Sequence, residues 1–504
     1  MSGRGCAGRM LINAEGRRIS SAGVDGACRA VARELRGRGI NERSRVLLTG
    51  ENTQEFILVL FALMECGASV ALADRRIPAD QQAALAVDAG VDRILTDNAL
   101  PERAGGIGQE LLADLVGGAM AGWEPSGGAA EAAEEGPLGF DRWFAREDAL
   151  IVWSSGSTGA PKGIVRSGAA VRANIARTAA RMAYRADDVL LPLLPFTHQY
   201  GLSMLLLWMQ TGATLVLQTS SQRVDRALEA IAAYGVTVVD AVPAMYSTLL
   251  NLVDGARAGT NMIGSVRMWC VGGEPLGQEL GERFVRTVGS PLLDGYGSSE
   301  AGNIALAVHP DPRGCGRPLD GIEVLVLDDA GREVPVGETG EVVVRTPDYM
   351  TGVLGPAGTL LRVERDAYRT DDIGCLDGAG NLTVLGRRDA VHRNGHTLYP
   401  DAIAARAGAC GAPVRVVPVQ GGRDDRVHLV FFVADAAGQP AAKWRRELAQ
   451  CVAEHEQPNR VVVLQEFPLN NTGKIDRRAL REMALREISP REMAPRESMR
   501  GVLQ

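Results

Sequence analysis

Across the first four hundred residues, short apolar runs of strand length alternate with stretches whose apolar residues return at helical spacing. Buried strands and helices with one apolar stripe satisfy each other by stacking in layers. The alternation therefore predicts an α/β fold and excludes a β-sandwich or an all-helical bundle. Arg45–Thr49 reads as a strand, Gln54–Cys66 as a helix and Ser69–Ala73 as the next strand. Further on, Val236–Asp240 reads as a strand leading through Pro243 into a helix over Ala244–Leu252, and Val266–Val271 as a strand closing on Gly272 and Gly273. Open sheets of this class bind ligands at the carboxyl ends of their strands, which draws attention to residues 240 and 272–273.

The texture changes from about Gly321. Segments such as Ile322–Leu327 and Glu341–Arg345, separated by Gly and Pro turns, predict a small β-rich subdomain. A final unit opens near Gly386, where apolar segments at 414–419, 427–433 and 461–464 and a helical stretch over Ala441–Glu454 suit a compact α+β domain. The expected organisation is a large N-terminal domain, 1–385, of layered α/β subdomains plus the β-rich subdomain. A small α+β domain, 386–480, and a charged, flexible tail, 481–504, follow it. Ser126–Gly139 is poor in large apolar residues and reads as a flexible surface loop.

With 504 residues, 46% of them hydrophobic, there is material for several buried cores. A net charge of −7 lacks the basic footprint of a nucleic-acid binder, so small molecules or a protein partner are expected. None of the eight cysteines forms a C-x-x-C pair, which argues against a zinc ribbon or a disulfide framework. Met1–Gly16 has no continuous apolar segment and no later run reaches 18 apolar residues, so no membrane segment and a cytoplasmic location are expected. Of 54 cationic residues only Lys162, Lys443 and Lys474 are lysines. Where arginine fills nearly every cationic position, a retained lysine points to a task that needs a compact ammonium rather than a planar fork.

The sharpest local signal is Ile151–Gly163, IVWSSGSTGAPKG, an apolar strand running into a loop of small and hydroxylated residues. Ser154, Ser155, Gly156, Ser157, Thr158 and Gly159 let backbone N–H groups approach phosphate oxygens closely, and Lys162 adds a point charge. This is not a Walker A loop, because Pro161 precedes the lysine and Gly163 follows it.

With that loop in place, the chain resembles the adenylate-forming superfamily of acyl-CoA synthetases, nonribosomal peptide synthetase adenylation domains and luciferases. The resemblance runs through an ordered series of segments. Pro195-Phe196-Thr197-His198-Gln199-Tyr200-Gly201 is similar to the family's gate beside the acid pocket. Gly272-Gly273-Glu274-Pro275 and Asp294-Gly295-Tyr296-Gly297-Ser298-Ser299-Glu300 resemble the segments that cradle adenine and the α-phosphate. Tyr368-Arg369-Thr370-Asp371-Asp372 resembles a motif whose final Asp holds the ribose hydroxyls, with Asp371 in place of the usual Gly. Gly386-Arg387-Arg388-Asp389 resembles the hinge, and Asn471-Thr472-Gly473-Lys474-Ile475 the segment of the catalytic lysine.

The resemblance implies ATP and Mg²⁺ as cofactors and a phosphopantetheine thiol, on a carrier protein or CoA, as acceptor. Glu300 and Thr158 would serve the metal, which favours hard oxygen ligands. Asp372 would accept the ribose diol, a turn-capping role being its alternative, and Arg387 joins the nucleotide contacts. His198 and Glu300 are candidate catalytic residues. Lys474, carried on a mobile C-terminal domain that swings about Asp389, would offset charge developing on the reacting oxygens. The segment Asp389–Gly395 is one residue shorter than common family versions.

The acid pocket is expected from Gln199, Tyr200, Ser203, Asp240, Gly272, Asn303 and Ile304. Asp240 is the informative one. A carboxylate at a buried strand end is costly unless a cation meets it, although a helix-capping or loop-facing role is the plain alternative. Pairing with a substrate ammonium set back from the carboxylate resembles stand-alone β-amino-acid adenylation enzymes of macrolactam pathways, which load an acyl carrier protein. The alternatives are an acyl- or aryl-CoA ligase, which His198 also suits, and a non-catalytic nucleotide-binding scaffold, against which Lys162, Glu300, Asp372 and Lys474 together argue.

Overall fold

The computed structural model describes residues 10–100, 106–121, 138–155, 161–218, 224–255, 262–328, 330–387, 391–393, 396–398, 400–420, 427–468 and 476–488. Most of the predicted loop Ser126–Gly139 lies outside them. The chain divides into two compact units. The larger takes in Met1–Ser154 and Lys162–Gly386, and the smaller is built on the chain from Arg387 onward.

Two large sheets organise the larger unit. One centres on three parallel strands, with Ser69–Ala73 lying between Arg45–Thr49 and Leu150–Ser155 (Val70 opposite Val46, Leu72 opposite Val152). In the other, Val238–Ala241 runs parallel between Val189–Pro192 and Met268–Gly272, so that Asp240 faces Pro192 on one side and Cys270 on the other. The expected strands over 236–240 and 266–271 thus begin two residues later and end one residue later.

The main core lies between these sheets. Val46, Leu48, Val70 and Leu72 from one pack with Leu190, Leu215, Val238 and Cys270 from the other. The helix Gln54–Cys66 belongs to this layer: residues 56–64 are all buried, Thr53 accepts from the Phe56 N–H at its start, and Gly67 ends it in the left-handed conformation. Burial on every side explains its nearly continuous apolar sequence. Each fully buried Leu, Ile or Phe there contributes roughly 1.5–3 kcal/mol. The outer faces carry their own cores, one around Tyr246, Trp269 and Phe284, the other around Ala86, Ile94 and Ile151. A four-stranded sheet of Glu323–Leu327, Gly340–Arg345, Tyr368–Leu376 and Leu382–Arg387 forms the β-rich part.

In the smaller unit Val414–Gln420 pairs antiparallel with Val427–Ala434, which pairs parallel with Arg460–Leu464. Strand periodicity divides its apolar residues between two faces. Leu429, Phe431 and Val433 pack with the helices Pro400–Ala407 and Ala441–Cys451, through Ile403, Trp444 and Leu448. Val430 and Phe432 pack with Leu480, Ala484 and Ile488.

That second core corrects the expected tail. Residues 477–487 form a helix, and the frayed extension expected from Arg481 is, through Ile488, docked structure. Leu480, Met483, Ala484 and Ile488 return at helical spacing inside a sequence that looks uniformly charged. Just before this helix, the Asp476 N–H donates to the Pro468 carbonyl at 2.8 Å.

Candidate active site

Asp240 points toward the main core, on the same strand face as Val238, and is 1% exposed. The Tyr200 hydroxyl donates to its Oδ1 at 3.0 Å, while Oδ2 is buried with no partner among the described residues. Burial pushes the carboxyl up to about 7 despite the Tyr200 bond. Tyr200 reaches this position by lying over Gly272. A Cβ there would stand 3.0 Å from the ring Cε1 and 2.9 Å from the Gly295 carbonyl oxygen. Glycine at the strand end is therefore the space the tyrosine occupies.

Gln199 opens the helix Gln199–Thr211, and its Oε1 accepts from Arg166 Nη1 at 3.1 Å. A guanidinium only donates, so the amide oxygen faces Arg166 and the NH₂ is turned elsewhere. Arg166 is fully buried, and its Nη2 donates to the carbonyls of Ala301 (3.4 Å) and Asp348 (3.2 Å). Burial lowers it to about 10, with the Asp348 and Glu300 carboxylates working the other way.

Three expected pocket residues are committed elsewhere. Ser203 donates to the Tyr200 carbonyl at 2.6 Å, Asn303 donates its amide to Thr178 at 3.0 Å, and Ile304 is fully buried in a core with Val324 and Val342. For Asn303 the reason lies in neighbours remote in sequence. Asn174 brackets Asn303, accepting its N–H at 2.9 Å and donating to its carbonyl at 2.9 Å.

On the nucleotide side, the Tyr296 hydroxyl donates to Asp372 Oδ2 at 2.5 Å, bringing two expected ATP contacts together. Asp371 stands in the left-handed region at φ 61°, at an irregularity in the pairing with Gly340–Arg345. Short polar side chains enter that region at lower cost than others, which is how the position tolerates the loss of glycine. Asp294 turns inward. The Cys315 thiol donates to it at 3.3 Å, and burial pushes its carboxyl up to about 7. Burial likewise pushes Glu274 up to about 7, and its Oε1 has no partner among the described residues.

Gly273 takes φ 85°, Pro275 is partly buried, and a Cβ on Gly297 would lie 2.6 Å from the Gly302 carbonyl oxygen. That closeness shapes the hairpin whose strand ends at Ser298 and whose turn carries Ser299 and Glu300. Ser298 Oγ braces the turn by accepting from the Ala301 N–H at 3.1 Å. Ser154 is partly buried at the end of its strand, and Lys162 is exposed at the start of the next. Gly156, Ser157, Thr158, Gly159, Asp389 and Lys474 lie outside the described residues, as do the side chains of Ser155 and Arg387.

Among the described residues no three His, Cys, Asp or Glu side chains are grouped to hold a metal. The donor set still fits Mg²⁺, which is commonly bound through one or two carboxylates, with phosphates and water completing the shell. Glu300, the carboxylate expected for that role, lies close enough to act on Arg166 and Tyr349.

His198 immediately precedes the Gln199–Thr211 helix. Its Nε2 lies 2.6 Å from Asp74 Oδ2, and Arg76 grips the same carboxylate with Nη2 at 2.6 Å. Burial works against the charge of Asp74, but the hydrogen bonds and charges of His198 and Arg76 hold its carboxyl well below the usual carboxylate range. Asn52 fixes the approach to the helix, donating to the Leu194 carbonyl at 2.7 Å and accepting from the Phe196 N–H at 2.9 Å. Asp74, Arg76, Asn52 and Arg166 were not among the expected site residues. One signal was available: Asp74 follows the apolar run Ser69–Ala73 as Asp240 follows Val236–Val239.

Residues 4–354 match the family of AMP-binding enzymes, and the chain belongs to it. It is an enzyme of the adenylate-forming acid–thiol ligase type. It is 26% identical over 494 residues to 4-coumarate–CoA ligase 5 of Oryza sativa subsp. japonica, covering 94% of this chain and 90% of that protein. It is 27% identical over 497 residues to the fatty acid–[acyl-carrier-protein] ligase ScoC of Streptomyces coeruleorubidus, covering 93% and 92%. The fold matches that of o-succinylbenzoate CoA synthetase from Bacillus subtilis with a TM-score of 0.77 at 23% identity, over 94% of this chain and 96% of that one. Among the described residues no helix is long and apolar enough to cross a membrane.

Proposed function

We propose that this enzyme activates a small β-amino acid with ATP and passes the acyl group to the pantetheine thiol of a separate acyl carrier protein. The observation that carries the proposal is the buried Oδ2 of Asp240, which has no partner among the described residues. Leaving such an oxygen without a counterpart costs the folded protein free energy, and a substrate ammonium would supply the missing donor and charge. Tyr200, bonded to Oδ1, fixes the direction from which that donor must come.

In the proposed reaction, a carboxylate oxygen of the acid attacks the α-phosphorus of ATP and pyrophosphate leaves, giving the acyl-AMP. The thiol sulfur then replaces AMP at the carbonyl carbon. The loop 154–159 and Lys162 receive the phosphates, Asp372 with Tyr296 receives the ribose, and residues 272–275 and 294–299 flank the nucleotide. Mg²⁺, held by Glu300 and Thr158, would neutralise phosphate charge. Lys474 would enter for adenylation and withdraw by rotation about Asp389 for acyl transfer, the division into residues 1–385 and 386–480 serving that movement.

The second reading is an acyl- or aryl-CoA ligase, supported by the resemblance to the rice enzyme. With its carboxyl near 7, Asp240 could also donate a proton to a substrate hydroxyl or carbonyl. Pyrophosphate exchange with 3-aminobutanoate, β-alanine, butanoate, 4-coumarate and salicylate separates the two. Acyl transfer to CoA and to a carrier protein is then compared. Preference for the amino acids and for the carrier protein supports the proposal; preference for butanoate or an aryl acid rejects it.

A further inference from the structure

The second half-reaction needs something the first does not. An ionised carboxylate attacks phosphorus and an anion leaves, so adenylation requires no proton transfer. A thiol, in contrast, must lose its proton before or as sulfur bonds to the carbonyl carbon. A base has work to do in acyl transfer, and the described structure holds a side chain arranged as one.

His198 Nε2 is 2.6 Å from Asp74 Oδ2, and Arg76 binds that carboxylate through Nε at 3.0 and 3.1 Å and Nη2 at 2.6 Å. The carboxylate can only accept, so Nε2 carries a hydrogen and donates it, and in the neutral ring Nδ1 is then the lone-pair nitrogen. The Arg76 Nη2, 3.3 Å from Nε2, can only donate and is already turned to Asp74. Asp74 follows the strand Ser69–Ala73, whose parallel neighbour Leu150–Ser155 leads into the phosphate loop. On the other side, Gln199 and Tyr200 extend from His198 to Arg166 and Asp240. The imidazole is thus held at an edge shared by the start of the phosphate loop and the acid pocket, and it is 49% exposed.

We propose that His198, oriented by Asp74 and Arg76, accepts the thiol proton at Nδ1 during acyl transfer. This rests on the acid–thiol ligase reading above. The S–H bond breaks with its proton moving to Nδ1, a C–S bond forms, and the C–O bond to phosphate breaks with its electron pair leaving on AMP. No redox change occurs. Asp74 stays ionised and offsets the imidazolium, as the carboxylate does in a serine protease triad. Nearby, Arg75 pairs with Glu51 at 2.5 Å and with Asp97 at 3.8 Å, and among the described residues Asp74 and Arg76 are the charged groups that contact the ring. Asp74 and Arg76 are positioning residues; His198 is the one that meets the thiol.

The test measures the half-reactions separately on the full-length enzyme. One is pyrophosphate exchange with the acid of the panel that turns over fastest; the other is transfer from that acid's pre-formed acyl-AMP to pantetheine. His198→Gln is expected to lower transfer at least tenfold more than exchange and to abolish the acidic limb of the transfer pH profile. Asp74→Asn is expected to move that limb to lower pH, and Asp74→Glu, which keeps the charge, to move it less. Equal losses in both half-reactions, or an unchanged profile in both His198→Gln and Asp74→Asn, would overturn the proposal. Wild-type enzyme that exchanges pyrophosphate with no acid would overturn the ligase reading itself, which separates the two failures.

Discussion

Replacing Asp240 with asparagine is expected to stabilise the ligand-free enzyme at alkaline pH while disabling it toward amino acids. The carboxyl rises from an ordinary 3.8 to about 7 on folding. A group whose folded value exceeds its unfolded one binds more protons in the folded state between those values. Its contribution is therefore complete below about 4 and is lost as pH rises through 7. The loss amounts to about 4 kcal/mol by pH 8. The asparagine would not titrate, but its NH₂ would stand where Oδ2 has no partner among the described residues, at a cost of about 1–3 kcal/mol. The variant should thus be less stable than wild type below about pH 4, within about 1 kcal/mol of it at pH 5, and more stable, by about 1–3 kcal/mol, at pH 8.

Removing one member of a buried charge pair costs about 3–5 kcal/mol, so kcat/KM for an amino acid should fall about 10²- to 10³-fold or more. Thermal melting of both proteins at pH 5 and 8, with pyrophosphate exchange on 3-aminobutanoate and butanoate, checks both halves. Parallel melting curves at the two pH values would refute the electrostatic reasoning, and unchanged amino-acid turnover would refute the ammonium pairing.

Three further outcomes are expected. Gly272→Ala should displace Tyr200, whose Cε1 a Cβ would approach to 3.0 Å. The same Cβ would stand 2.9 Å from the Gly295 carbonyl oxygen, so KM should rise for the acid and also for ATP, and an unchanged KM for the acid would reject the packing argument. Asp371→Gly relieves φ 61° at an exposed position but frees the unfolded chain, so stability by denaturant titration should change by less than about 1 kcal/mol. Lys474→Ala should depress pyrophosphate exchange while largely sparing transfer from pre-formed acyl-AMP, and equal loss of both would reject its assignment to adenylation.

The α/β layering was legible because buried strands and helices of this length leave strong periodic signatures. Gln54–Cys66 and Ser69–Ala73 are read to the residue. Asp240 was legible because a charge ending an apolar run is anomalous wherever it occurs. Asp74 carries the same anomaly, but its meaning depends on His198, 124 residues away, and no local pattern reports that pairing. Asn303 and Ile304 show the converse. Their place in the chain suited a pocket, yet Asn174, Thr178 and the β-rich sheet claim them, and those partners come from distant segments. The helix over 477–487 was hidden because the apolar residues of its docked face, Leu480, Met483 and Ala484, are outnumbered in the sequence by charged ones.

That helix bears on how a lysine can be delivered reliably from near the end of a chain. The Asp476 N–H donates to the Pro468 carbonyl at 2.8 Å, which ties together the two described residues on either side of 469–475. The docked helix then anchors the far side against Val430 and Phe432. In sequence Lys474 stands two residues before Asp476, so the chain that carries it is held on both sides. Truncation before Leu480 would remove the anchor while leaving the lysine itself in the sequence.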